Sequence, residues 1–337
     1  MKILFILKER FYNNSLIKSY GLMNSSTHVS KYLDSIGLCT KVVRVVDGNS
    51  IDKEVHEYKP DVVIIEALWV SGEKLKELIE IKRYSHIRWI VRVHSDIGFL
   101  AAETLALKYI NDYISLNKHN LVIAPNNKEF NEYLTNAMNF KFKYLPNIIN
   151  VKSSDHSLVK HPHSIDIGCF GALRILKNHV FQAMCAMSAA DILNKTLRFH
   201  ITVDANADKA NLNPVLKNLE ELFKRSSHEL ICHPWMENDE FQGLVRKMDI
   251  GLQLSYTESF NIVAADFVNN DIPIIVSDAI DWMPDIFKTS TIDYEEATNK
   301  IVSIYKSRTL GHKKNVAFDS LVKYNRKAQQ EWLDFII

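Results

Sequence analysis

The chain has 337 residues, enough for two domains of about 150 each. With 47% apolar residues and a formal net charge of +1, its composition excludes a disordered polymer and a strongly basic or acidic binder. The first 150 residues carry four more basic than acidic side chains and the rest three more acidic than basic, a mild tilt.

The opening MKILFIL predicts a first strand at 3–7. Its apolar run stops at Lys8, Glu9 and Arg10, too early for a signal peptide. A helix is predicted over 24–36, with Val29, Tyr32, Leu33 and Ile36 on one face and Gly37 ending it. Strands follow at 41–46, 62–66, 89–93 and 121–124, with the clearest helices at 72–82 and 100–116 and a short strand at 143–146. The polar stretch 151–164 reads as a linker. A second alternation then runs strand 165–170, helix 178–193, strand 197–203, helix 214–224, strand 229–232, helix 239–246, strand 250–254, helix 260–269 and strand 273–276. It closes on a long helix at 314–335. Strands alternating with helices predict an α/β protein with two Rossmann-like parallel-sheet domains facing a cleft. Ligands of such sheets bind beyond the carboxyl ends of the strands.

Cys39, Cys169, Cys185 and Cys232 form no CxxC pair, which speaks against a zinc or redox motif, and Cys39 and Cys169 read as buried thiols in apolar strands. No run approaches the roughly 20 apolar residues of a spanning helix. These features predict a soluble, reducing, cytoplasmic setting. The sequence assigns no oligomeric state.

The most informative segment is 248–284, MDIGLQLSYTESFNIVAADFVNNDIPIIVSDAIDWMP. A strand enters a polar turn holding Glu258 and Ser259, and a helix starts near Phe260. A helix N-terminus after a strand offers amide donors and a positive dipole end, which suits a phosphate. Glu258 and Asp266 are eight residues apart, about 12 Å if the span is helical. That separation would place one carboxylate at the sugar and one at the ribose of a nucleotide sugar. A second motif, IGCFGALRILKN at 167–178, follows a strand with Gly171 and two cations, Arg174 and Lys177. A third, RVHSDIGF at 92–99, puts His94 and Asp96 at a strand's carboxyl end.

Together these segments resemble retaining GT-B glycosyltransferases, the large family-four class. The resemblance is strongest over 165–284. It implies that Glu258 contacts the donor sugar, that Ser259, Phe260 and Asn261 stand at the amides holding the diphosphate, and that Asp266 takes the ribose in place of the usual Glu. Asn261 replaces the usual glycine. The first cation motif resembles "G-R-L-x-x-x-K", with Lys177 in the position of the Lys and Arg174 two residues late. It implies that Gly171, Arg174 and Lys177 line the donor diphosphate. His94 resembles the cleft histidine that touches the donor sugar, and Asp96 is placed to orient it or to meet the acceptor. Gly21 resembles the glycine loop over the donor phosphates. The implied domains are 1–150 for the acceptor, 151–313 for the nucleotide sugar, and 314–337 as a helix crossing back to the first domain.

The resemblance implies a nucleotide-diphosphate sugar, UDP-linked first among the candidates, as co-substrate, with no resident cofactor. No Asp-x-Asp occurs, so no metal is expected and catalytic roles fall to His94, Glu258 and Lys177. In the loop after the first strand, Lys8, Arg10 and Lys18 interleave with Phe11, Tyr12 and Tyr20. Cations beside aromatics suit a nucleic-acid backbone and an unstacked base. Short chains of this kind also resemble phage-encoded enzymes that glycosylate hydroxylated cytosine, so double-stranded DNA carrying hydroxymethylated cytosine is the leading candidate acceptor. A cell-surface glycan or lipid-linked acceptor stays open, as do a nucleotide-sugar epimerase and a non-catalytic nucleotide-sugar or DNA-binding module.

Overall fold

In the computed structural model the chain divides into two compact units, Met1–Asn150 with Asn325–Ile337, and Val151–Tyr324. The structure describes residues 1–12, 15–17, 20–152, 161–203, 213–307 and 312–336. Most of the linker stretch, 153–160, and Lys18 lie outside them.

The first unit runs β1 (Lys2–Lys8), β2 (Arg10–Tyr12), β3 (Ser15–Ile17), α1 (Tyr20–Ser35), β4 (Cys39–Val45), α2 (Ser50–Tyr58), β5 (Val62–Glu66), α3 (Gly72–Glu80), β6 (Arg88–Val93), α4 (Ile97–Leu100), α5 (Ala106–Ser115), β7 (Leu121–Pro125) and α6 (Lys128–Met138). Its main sheet is parallel, in the order β4-β1-β5-β6-β7. The continuous apolar runs of β1 and β5 are buried on both faces, as a sheet covered by helices requires. Leu4, Ile6, Val63, Ile65 and Val91 pack there with Leu75, Leu78 and Ile110 of the helices. Strand order reverses between β1 and β5, which sets the topological switch point there. Helix α1 ends as its sequence predicts: Gly37 takes φ +90, and Leu38 N–H returns to Leu33 O at 3.1 Å.

Four expectations for this unit need correction. The predicted helix 100–116 is broken into α4 and α5, because residues 101–105 between them are all exposed and find nothing to pack against. The predicted strand 143–146 is not a strand. Lys143 and Leu145 donate to Ile123 O and Pro125 O, but Pro146 has no N–H with which to continue the ladder. The loop after β1 contains an antiparallel hairpin, with Arg10 opposite Ile17 and Tyr12 opposite Ser15. Cys39 is exposed rather than buried, since it opens β4 at the edge of the sheet; Cys169 is buried as expected.

The second unit runs β8 (Ser164–Gly168), α7 (His179–Ile192), β9 (Thr196–Val203), α8 (Pro214–Phe223), β10 (Glu229–Pro234), α9 (Asn238–Val245), β11 (Ile250–Gln253), α10 (Ile262–Asn269), β12 (Ile274–Val276), α11 (Tyr294–Ser307) and the start of α12 (His312–Ile336). Its sheet is parallel in the order β10-β9-β8-β11-β12, with the switch point between β8 and β11. Helix α10 lies tight against that point. A Cβ on Gly168 or Gly251 would come within 2.9 Å or less of the Phe267 ring, so only glycine lets the helix approach. Phe260 stacks on Tyr324 and Trp282 at 4.8 and 5.7 Å, and Ser320 Oγ donates to Trp282 O at 2.6 Å. The end of α12 belongs to the first unit, where buried Trp332 donates to Pro146 O at 2.8 Å. Among the described residues no helix is long and apolar enough to cross a membrane.

Candidate functional site

At the switch point of the second unit, the segments after β8 and β11 are tied together. Beyond β8, Gly171 takes φ +118, a backbone open to glycine at no steric cost, and its amide and carbonyl both bond Thr202 Oγ1 at 3.0 Å. Arg174 leads in extended backbone into a single 3₁₀ turn, Ile175–Lys177. Asn178 follows in left-handed backbone and donates to Leu254 O at 3.3 Å and Thr291 O at 3.0 Å. This fixes the Lys177 ammonium against Glu258 Oε1 as an ion pair, with Glu258 almost fully buried.

Asn261 accounts for the missing glycine. It sits at φ +65, where Asn is among the few non-glycine residues at home, and its Oδ1 caps α10 by accepting from Ala264 N at 2.8 Å. Its Nδ2 donates to Glu258 Oε1 at 2.9 Å and to Gln253 Oε1 at 2.8 Å. Gln253 Nε2 in turn donates to Phe170 O at 2.9 Å, linking β11 back to β8. Lys177, Glu258 and Asn261 therefore form one charge-compensated cluster. Sequence reasoning did not single out Gln253; a Gln ending an apolar strand five residues before Glu258 was the available signal.

The span from Glu258 to Asp266 is not one continuous helix. Helix α10 begins only at Ile262, because left-handed Asn261 stops the helix from extending back, so Glu258 lies in the turn before it. Asp266 is on the helix and buried, which pushes its pKa up to about 7; the 2.8 Å hydrogen bond from Gln242 Nε2 works against that rise. Gln242 is oriented by Asn270, whose Nδ2 donates to Gln242 Oε1 and whose Oδ1 accepts from Arg246 at 3.1 Å. Beside Lys177, His179 is buried with neither ring nitrogen hydrogen-bonded, and burial first, then the Lys177 charge, lowers its pKa to about 3.

In the first unit the chemistry gathers at the ends of β5 and β6. Glu66 pairs in register with Arg92, and His94 lies two residues on, on the same face. Arg92 is fully buried and donates to Glu66 Oε1 at 3.2 Å, Asn147 Oδ1 at 2.6 Å, Leu145 O at 3.0 Å and Pro146 O at 2.9 Å. Ser25 of α1 donates to Asn147 Oδ1 at 2.6 Å. His94 Nε2 meets Glu66 Oε2, and Asn126 Nδ2 donates to His94 Nδ1 at 3.3 Å. Burial would raise the Glu66 pKa, but Arg92 and His94 overcome it and hold the carboxylate low. Burial lowers the His94 pKa, with Arg92 helping and Glu66 opposing, so the imidazole is neutral.

Of the remaining candidates, Asp96 caps α4, accepting from Ile97 N at 2.8 Å. Gly21 lies in the first turn of α1, where a Cβ would meet nothing within 4 Å, so the backbone sets no demand for glycine there. Lys8 ends β1 with its ammonium 6.0 Å over the Trp69 ring. Arg10 and Tyr12 lie on β2, and Tyr20 opens α1. Glu66, Arg92, Asn126 and Asn147 were not singled out from sequence. The signal was a charged residue closing or interrupting each of two successive apolar strands, VVIIE and RWIVRV.

No protein-family model matches the sequence, and no curated protein matches it. Solved structures do. Sucrose-phosphate synthase from Thermosynechococcus elongatus matches with a TM-score of 0.67 at 11% identity, over 98% of this chain and 94% of that one. A glycosyltransferase from Rickettsia africae matches with a TM-score of 0.65 at 12% identity, over 99% and 97%. The fold is GT-B. A mutant of S. aureus TarM, in complex with fondaparinux, alpha-GlcNAc-glycerol and UDP, matches with a TM-score of 0.61 at 12% identity. That match covers 81% of this chain and 54% of TarM, so the chain spans about half of TarM's length. At such identities the likeness to these GT-B proteins is one of fold.

Proposed function

We propose that the chain is a retaining, metal-independent glycosyltransferase that moves a sugar from a nucleotide-diphosphate donor, UDP-linked first among them, to an acceptor hydroxyl. The observation that carries this is the Lys177–Glu258–Asn261 cluster at the switch point of the second sheet, where α/β sheets take their ligands. Glu258 can accept two strong hydrogen bonds from sugar hydroxyls. Lys177, with Arg174 and the α10 N-terminus, faces a leaving diphosphate that gains charge as the glycosidic bond breaks, so these groups stabilise the transition state more than the ground state. Retention is what the resemblance of the donor segment implies. His94 is assigned to the donor sugar on the same ground.

The test is turnover of a panel of nucleotide sugars by the wild type and by Glu258→Gln. The expected result is turnover of one donor and its loss by about 10²-fold in the variant, as for a lost charge-assisted contact. No turnover of any donor, or equal turnover by the variant, overturns the reading; an epimerised donor in place of a transferred sugar makes the chain an epimerase.

For the acceptor, hydroxymethylated cytosine in duplex DNA is put first, on the cations and aromatics of residues 8–20. Binding to such a duplex should weaken steeply with salt, and replacing Lys8, Arg10 and Lys18 by Ala should flatten that slope. A second reading, a lipid-linked or glycan acceptor, is favoured by the exposed Ile97, Leu105 and Leu107 that follow His94. Transfer to such an acceptor with no binding to DNA at low salt would establish it over the first.

A further inference from the structure

His94 is held from both sides by its own unit, and the donors and acceptors leave one arrangement of its ring protons. An ionised carboxylate can only accept, so Nε2 of His94, facing Glu66 Oε2, carries a proton, and Nδ1, facing Asn126 Nδ2 at 3.3 Å, is the lone-pair acceptor of the neutral ring. The ring proton of the neutral imidazole is then on Nε2, where it is donated to Glu66 Oε2. The Glu66 side chain is wholly inaccessible, whereas that of His94 keeps 11% exposure. A carboxylate that solvent cannot reach touches no substrate; what it does to a substrate it does through His94. Its other oxygen is fixed by buried Arg92, which Asn147 and two carbonyls lock in turn.

We infer that Glu66, seconded by Asn126, is a positioning residue that locks His94 in its Nε2–H tautomer and so presents Nδ1 as the acceptor for a substrate hydroxyl. This rests on the glycosyltransferase reading, which supplies the hydroxyl. The Asn126 contact is longer than the usual 2.7–3.2 Å range and is therefore the weaker of the two bonds to the ring. A hydroxyl, a better-placed donor than a distant amide, takes its place at little cost, while the Glu66 side of the ring stays fixed. The anionic partner opposes the loss of basicity that burial and the Arg92 charge impose on the ring. No proton is transferred in this step: the hydroxyl donates a hydrogen bond and is oriented by it. Among the described residues the charged groups facing His94 are Glu66 and Arg92.

The experiment has two arms. In the first, the wild-type chain is labelled with nitrogen-15 at histidine, the ring resonances of His94 are assigned by their loss in His94→Gln, and long-range proton–nitrogen spectra are recorded at neutral pH. The expected spectrum has Nε2 in the protonated region and Nδ1 in the unprotonated region. An Nδ1–H tautomer, or averaging of the two, overturns the inference. In the second, Glu66→Gln is compared with the wild type over pH. The expected outcome is kcat down about 10-fold or more with donor KM within about twofold. The acid limb of the kcat profile should also move to lower pH, because the carboxylate that favours protonated His94 is gone. An unmoved profile with unchanged kcat overturns the inference. If Glu66→Gln does not fold, the spectrum of the wild type still decides. If no donor is turned over by the wild type, the enzyme reading falls while the tautomer is tested all the same; if the tautomer is wrong while Glu258→Gln abolishes transfer, the enzyme reading stands and the inference alone falls.

Discussion

Replacing Asn261 separates backbone conformation from side-chain chemistry at the centre of the proposed donor site. Asn261→Ala loses the cap on Ala264 N, worth about 1 kcal/mol. It also puts a Cβ without a compensating polar group into left-handed backbone at φ +65, at roughly 1–2 kcal/mol. Finally it removes the donor to Gln253 Oε1, a side chain that is 2% exposed, and an orphaned buried acceptor costs about 1–3 kcal/mol. The total is about 3–6 kcal/mol. Asn261→Gly keeps the last cost but escapes the left-handed one, and a Gly cap is only a few tenths of a kcal/mol worse than Asn. Its extra freedom in the unfolded chain returns about 0.4–1 kcal/mol of that advantage. Ala should therefore be less stable than Gly by about 1.5 kcal/mol, despite its better intrinsic order. The assay is urea denaturation followed by circular dichroism, comparing midpoints at equal slope. An alanine variant as stable as the glycine one, or more so, would mean that position 261 is not held left-handed in solution.

Two further outcomes follow from the same unit. The Asp266 pKa is raised to about 7 from a usual value near 3.8, so the native state holds the proton more tightly than the unfolded state. The stability this contributes is full below about pH 4 and is lost as pH rises through 7, at about 1.4 kcal/mol for each pH step between those two values. Asp266→Asn should lose that dependence and gain on the wild type between pH 5 and 8, measured by denaturant midpoints; a gap that is constant over this range counts against a buried protonated Asp266. Activity should survive excess EDTA, since the phosphate-facing charges in the proposed site are Lys177 and Arg174; complete loss restored by Mg²⁺ or Mn²⁺ would refute that assignment.

The parts of the fold that were legible in sequence are those set by local rules. Strands β1, β5, β8 and β11 are short, largely apolar runs of four to seven residues, and buried parallel strands have few other forms. Helix α1 announced its end through Gly37. What sequence did not show depends on which neighbours an element finds. The pattern over 100–116 is helical in spacing, yet 101–105 find nothing to pack against, and the helix breaks. The start of α10 was misplaced because the decisive fact, positive φ at an Asn, is a backbone choice that the residue permits but does not demand. The chemistry divides in the same way. Lys177 and Glu258 lie 81 residues apart and were picked separately as motif positions; that they form an ion pair is information only the fold carries. Glu66 escaped because a single acid at the end of a strand is unremarkable until Arg92 and His94 are seen beside it.

A buried charged cluster is not by itself a site, and the second unit contains the counterexample. Asp166 of β8 takes Arg198 on one oxygen and His200 on the other, at 2.9 Å for the latter, and His200 Nδ1 lies 2.8 Å from His233 Nε2. This group is as well connected as the Lys177–Glu258 cluster, but it sits within the strands, where register sets Asp166 directly opposite Arg198. Its bonds satisfy groups that the sheet has already buried. Lys177, Glu258 and Asn261 are held instead by turns beyond the carboxyl ends of β8 and β11, and Glu66 and His94 by the ends of β5 and β6. Breaking a buried pair typically costs about 3–5 kcal/mol, and an apolar pair of the same shape often serves stability as well or better. Within the strands the charges can be read as one solution to packing a sheet face. Beyond the ends of β8 and β11 no ladder needs Lys177, Glu258 and Asn261, and their placement at the switch point of that sheet is what supports the functional reading proposed for them.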